Sequence, residues 1–199
     1  REMLQHDRQL KFMAANLEKK IRQELEKLLK TDREKYEKVY AAFGLQLKYG
    51  VVAQYGEKKD VLQDLLLFWS QKENKLVSLR EYTDAMPEGQ THIYYASGEN
   101  RERLAQLPQL EQLKAKGYDV LLLTDEVDEF VVQTLQKYAE HDLLSVTAKD
   151  LGLASEEEKK AAEEKAEQAK PTLEFVKDTL GDKVSQVRLS TNLGSHPVC

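Results

Sequence analysis

The chain has 199 residues, 33% of them charged, with a net charge of −5 and a single cysteine. That length suits one large domain or two small ones and is enough to bury a core without staples. A mildly acidic, well-mixed surface gives no footprint for nucleic acid, lone Cys199 excludes an internal disulfide or a multi-cysteine metal site, and no apolar run reaches the ~18–20 residues of a membrane span.

No signal-peptide core is present, so the sequence reads as cytoplasmic. It begins at Arg1 rather than Met and therefore reads as a piece of something longer. Leu10, Met13, Leu17, Ile21, Leu25 and Leu28 recur at steps of three and four, which predicts one long amphipathic helix over 3–30. Arg1, at the head of this helix, opposes the helix dipole, so it is either a fraying end or a contact for an anion. Thr31 followed by Glu34 has the form of a capping box for a second helix through Tyr36, Tyr40 and Phe43, with Gly44 as its C-cap. A third helix is expected from Lys58 to Ser70, apolar on more than one side. Trp69 and Tyr36, Tyr40 and Tyr55 have core-compatible spacing. Ser78 and Glu81 form another capping box, for a short helix stopped by Pro87.

The pattern then changes. HIYYA at 92–96 is strand-like, and SGEN after it is a turn and helix start. Leu104, Leu107, Leu110 and Leu113 mark a helix broken or restarted at Pro108, and KAKG at 114–117 closes it with cations and a glycine. DVLLL at 119–123 is a continuous apolar run, as in a strand covered on both faces. TDEVDEFVVQTLQKY gives a further helix and DLLSVT a third strand. Strands alternating with helices at this spacing predict parallel pairing with right-handed crossovers. SEEEKKAAEEKAEQAK at 155–170 has no apolar stripe and reads as a solvated helical linker. LEFVKDTLG then predicts a helix closed at Gly181, followed by an alternating strand through Val184, Val187 and Leu189.

Self-contained chemistry is scarce. No Gly-rich phosphate loop occurs, and the SGEN turn offers a single glycine to an anion. His6, His92, His141 and His196 have no metal-ligand spacing, and His196 with Cys199 lacks a third group to orient it. The acids Asp125, Glu126, Asp128 and Glu129 fall at a helix start, where capping and the dipole favour them. An independent enzyme working on a phosphorylated ligand would have only Ser97, Thr124 and Asp125 at the strand ends.

The order IYY–x–x–GE, P–x–LE–x–LK–x–KG and V–LL–TD–x–x–DE–aromatic resembles the middle region of the ninety-kilodalton heat-shock chaperones, including their bacterial form. REMLQ at the start, EKVYAAFGLQLKYGV and the closing TLGDKVSQVRLS resemble the same family in the same order, so the likeness runs the length of the chain. It implies an α/β fold: a helical connector at 1–75, a small three-layer α/β/α subdomain with a short parallel sheet at 76–153, a charged linker at 154–171, and the truncated start of a C-terminal domain at 172–199. It also implies a homodimeric, ATP-dependent chaperone of the heat-shock response, with ATP and Mg held by an N-terminal domain absent from this chain. The fragment itself would hold no cofactor or metal and would not hydrolyse ATP alone.

Arg1 and Gln5 match the residues that the family presents to the terminal phosphate of ATP, in the manner of an arginine finger. Their spacing of four puts both on one helix face. Glu129 and Phe130 match a client contact near the junction of the middle and C-terminal domains, where Phe130 is elsewhere a Trp. Implied partners are unfolded or partly folded clients, the N-terminal domain and a second copy joined through absent C-terminal helices, with neither nucleic acid nor membrane. The alternative is an interaction scaffold for clients or cochaperones in which Arg1 has no catalytic part. Burial of Phe130 in the core would exclude the client site.

Overall fold

The computed structural model describes residues 8–148, 150–153, 169–181, 184, 185 and 187. Helix α1 covers Arg8–Thr31 and α2 covers Arg33–Val52. The break between them is made by Asp32, whose side chain accepts from the Lys35 amide at 3.1 Å. The expected Thr31 cap is instead spent on the previous turn, its hydroxyl donating to the Lys27 carbonyl at 2.8 Å. Helix α2 also runs past Gly44, the expected stop. That glycine serves another purpose: a Cβ there would stand 2.8 Å from the Tyr40 ring, which crosses it so that the hydroxyl can donate to the Leu67 carbonyl at 3.0 Å.

After α2 come a 3-10 turn over Ala53–Gly56, a short α3 over Lys59–Leu62 and a second 3-10 turn over Gln63–Leu65. The chain then enters strand β1, Leu67–Ser70. This corrects the helix expected from Lys58 to Ser70. Apolar residues on every side of that run belong to a strand paired on both edges, not to a central helix. Strand β2 (Lys75–Ser78) returns antiparallel to β1 and leads into α4 (Leu79–Asp84). Here the expected capping box forms in full: Ser78 Oγ accepts from the Glu81 amide, and Glu81 Oε2 accepts from the Ser78 amide at 2.7 Å.

Strand β3 (His92–Ser97), α5 (Arg101–Leu104), α6 (Leu110–Ala115), β4 (Val120–Leu123), α7 (Asp128–Leu135), β5 (Lys137–Tyr138) and β6 (His141–Ser145) follow. The six-stranded sheet has the order β2-β1-β4-β3-β6-β5. Its centre is the expected parallel set, β3 lying between β4 and β6. Antiparallel β1, β2 and β5 extend it on both sides.

Alternation along the strands makes three layers. Leu121, Leu123, Ile93 and Phe68 face α7 and Val51 of α2, in a core with Val131, Val132 and Leu135. Val120, Leu122, Tyr94 and Ala96 face the other way, onto Leu104, Leu110 and Leu113 of α5 and α6. A third cluster of Tyr36, Tyr40, Leu65 and Leu67 ties the helical layer to the edge of the sheet. The mixed α/β architecture with a helical layer is therefore as expected.

Of the four aromatics assigned to the core, Tyr36 and Tyr40 are buried and Trp69 packs half-buried beneath Arg101, whose guanidinium lies 4.2 Å from the ring centre. Tyr55 is fully exposed. It follows the end of α2, where the helical spacing that suggested burial no longer applies. Residues 169–180 form a helix that closes at Gly181, φ +55°, as the sequence predicts for its end, and it already includes 169–171, which were expected to lie in the linker. Residues 184, 185 and 187 are not in a strand; Leu189 and the linker from 154 to 168 lie outside the described residues.

Candidate functional site at the start of helix α7

Helix α7 begins where β4 leaves the sheet, at the C-terminal edge of the parallel strands. Asp128 is its first residue, and its carboxylate is 2% exposed. One oxygen accepts from the Asp125 amide at 3.0 Å and so holds the turn before the helix. The other lies 2.6 Å from Lys48 Nζ. Lys48 comes from the middle of α2, is itself 6% exposed, and also reaches Asp125 at 2.7 Å. Its ammonium lies 5.2 Å from the centre of the Phe68 ring in β1, close enough for a favourable cation–π contact. Burial pushes the Asp128 carboxyl above its ordinary value, while the Lys48 charge pulls it back.

Capping and the helix dipole thus explain only part of the TDEVDEF acids. Two of the acids anchor a lysine from another layer. Lys48 was not among the residues singled out from sequence. A signal was present: Tyr36, Tyr40, Gly44, Lys48 and Val51 are the buried residues of α2, so a lysine sits on an inward stripe and requires an acid opposite.

Of the expected client contacts, Glu129 is exposed and accepts from Ser97 Oγ at 2.8 Å, which ties it to the end of β3. Phe130 is 61% exposed. The condition that would have excluded it, burial in the core, is not met. The Thr134 hydroxyl one turn on donates to the Phe130 carbonyl at 2.7 Å, and a Cβ at Gly56 would meet the Thr134 methyl at 2.6 Å. Helices α2 and α7 therefore run side by side in the same direction, Lys48 level with Asp128 and Gly56 level with Thr134.

Arg1 and Gln5 lie outside the described residues, as do His6, His196 and Cys199. The SGEN turn spends its groups internally. Gly98 donates to the Leu123 carbonyl at 3.0 Å, and Asn100 caps the four-residue α5 by accepting from the Arg103 amide at 3.1 Å. Among the described residues no three His, Cys, Asp or Glu side chains are placed to hold a metal ion. Among them too, no helix is long and apolar enough to cross a membrane.

The family model described as "Hsp90 protein" matches residues 1–199. Chaperone protein HtpG of Bacillus subtilis is 52% identical over all 199 residues, and those of Clostridium botulinum and Clostridium acetobutylicum are 51% and 50% identical. The match takes in 100% of this chain but 32% of each relative, so the chain spans about a third of the length of the curated relatives it matches. Among solved structures, the middle domain of a Plasmodium falciparum heat shock protein superposes with a TM-score of 0.64 at 34% identity, covering 70% of this chain and 58% of that one.

Proposed function

The chain belongs to the Hsp90 family of heat-shock chaperones and carries its middle-domain fold, and from that premise we propose that it works as the client-holding and ATPase-supporting part of a cytoplasmic, homodimeric, ATP-driven chaperone. The observation that carries the client half is the 61% exposure of Phe130 on a helix whose first turn is clamped from two layers. A large aromatic side chain left in water beside acids, on a rigid support, suits capture of apolar segments in unfolded proteins.

The ATPase half rests on Arg1 and Gln5. Side chains four apart on a helix share one face, and a guanidinium and an amide so placed would reach the same phosphate. Their donors would stabilise charge on the transferring phosphoryl group of ATP, with its Mg held by a separate N-terminal domain. The test is Arg1→Ala in a full-length protein carrying these residues. ATP turnover is expected to fall by about a hundredfold with nucleotide affinity retained. Unchanged turnover removes the role from Arg1 and leaves the interaction-scaffold reading in its place.

A further inference from the structure

Resting on the client-binding reading of Phe130, we propose that the site extends across to α2 and the turn after it as a strip of three aromatic side chains, Tyr49, Phe130 and Tyr55, and takes an extended polypeptide segment in which large apolar residues stand next to Lys or Arg. Phe130 lies on α7 between the levels of Asp128 and Thr134, which are matched by Lys48 on α2 and by Gly56 in the turn that follows it. At about that level α2 carries Tyr49, which is 54% exposed. Lys48, next to Tyr49, points inward to the acids, so Tyr49 is directed to the flank of α2 away from the core.

Tyr55 completes the strip. Gln54 and Tyr55 hold φ of 51° and 56°, and Gly56 follows at 83°. Left-handed backbone is costly for residues with a Cβ and more so for bulky ones. The turn seats Gly56 against α7 and leaves the Tyr55 ring itself fully in solvent. Gly56, seated against Thr134, fixes that strained turn to the same helix that carries Phe130.

Charge selects the occupant. Glu126 and Glu129 stand at the start of α7, and Glu57 follows the strained turn. All three are exposed, and none forms an ion pair among the described residues. Of the lysines nearby, Lys48 is buried against the acids, Lys58 pairs with Glu18, and Lys59 is held to the Thr134 carbonyl, so the three acids outnumber the one uncompensated lysine. An aromatic strip with an acidic rim favours apolar segments with basic neighbours and repels acidic ones.

The probe is a labelled, unstructured peptide alternating Leu or Phe with Lys, followed by fluorescence anisotropy on the 199-residue chain, with a Glu-for-Lys version as comparison. The Lys peptide should bind at least about tenfold tighter, with the margin shrinking as salt is added and in Glu57→Gln/Glu126→Gln. Phe130→Ala should weaken binding about tenfold, and Tyr55→Asn and Tyr49→Gln about fivefold each. Asn tolerates the left-handed region, so Tyr55→Asn removes the ring while sparing the backbone, and an unchanged thermal melt checks this. If Phe130→Ala weakens binding while both tyrosine variants bind as wild type, the strip is overturned and the client site at Phe130 stands. If Phe130→Ala has no effect, or wild type binds neither peptide, both fall. Equal affinity for the Lys and Glu peptides overturns the occupant proposed here.

Discussion

Lys48 and Asp128 meet at 2.6 Å with almost no exposure on either side chain, one in the middle of α2 and the other at the first residue of α7. The contact joins the helical layer to the helix that presents Phe130. Removing one member of a buried pair leaves an uncompensated charge, so Lys48→Met is expected to cost about 3 kcal/mol in urea unfolding. Asp128→Asn in the Lys48→Met background keeps the acceptor for the Asp125 amide while removing the orphaned charge. It should recover much of the loss. A double-mutant cycle with no coupling would show that the pair contributes nothing beyond its separate parts.

The same carboxylate has a pH signature. Asp128 titrates above its ordinary 3.8 because burial outweighs the attraction of Lys48. Between the unfolded and folded values the native state binds more protons, so Asp128's contribution to stability falls as pH rises through that window and is level above it. The difference in unfolding free energy between wild type and Asp128→Asn should therefore decline as pH rises from about 3.8 and then flatten. Lys48→Met removes the opposing charge and should move the window upward. A difference that rises with pH would reverse the assignment.

Gly56 holds φ +83°, and an added Cβ would press on the Thr134 methyl at 2.6 Å. Gly56→Ala meets both strain and overlap, for an expected loss of about 2 kcal/mol by thermal or chemical unfolding. Adding Thr134→Ser deletes the methyl and should restore the overlap part only. Full restoration would mean that the left-handed backbone is not strained; none would mean that the methyl is not the obstacle.

Strands β3, β4 and β6 were legible because each is a short apolar run set between turn and helix signals, and the Ser78–Glu81 capping box because its chemistry is local. LFWS was misread because a run apolar on all sides has no period to separate helix from strand. Tyr55 was misplaced because its spacing from Tyr36 and Tyr40 counts only while the helix lasts, and α2 ends at Val52. Lys48 and Asp125 are 77 positions apart, and nothing local pairs them. The inward stripe announced that Lys48 needs an acid; only the fold says which. Glu129 and Phe130 came from family likeness, and residue pattern alone would have assigned them to a helix start.

Arg33 joins the helical layer to the edge of the sheet through a single guanidinium. Its guanidinium donates to both Glu81 oxygens at 2.8 and 3.0 Å, to Glu37 at 2.8 Å and to the Leu76 carbonyl at 2.7 Å. Glu81 also completes the cap of α4. Arg33→Lys keeps the charge but cannot span these acceptors with a single ammonium, so it should lose most of what Arg33→Ala loses, about 2 kcal/mol. A lysine variant as stable as wild type would reduce the fork to a simple charge.

Tyr82 makes the strongest case for alkaline sensitivity. Its hydroxyl donates to the Asp119 carbonyl at 2.6 Å and accepts from Gln90 Nε2 at 2.9 Å and the Tyr94 amide at 3.1 Å. Burial pushes its ionisation well above 10.0, as it does for Tyr36 and Tyr40, and raises Tyr94 and Tyr138 to about 12. Above pH 10 the unfolded chain gives up these protons while the native chain keeps them, so stability falls as pH rises. By pH 11 each such tyrosine costs about 1.4 kcal/mol. Together they should unfold the protein in one cooperative step near that pH, with the full tyrosinate absorbance at 295 nm developing only as far-UV circular dichroism is lost. Complete tyrosinate absorbance with the circular dichroism intact would mean that these hydroxyls reach solvent in the native state. Tyr82→Phe adds a control: it should lower stability at neutral pH by about 2 kcal/mol, because three partners, two of them buried, lose their hydroxyl, while its stability falls less steeply above pH 10 than that of wild type.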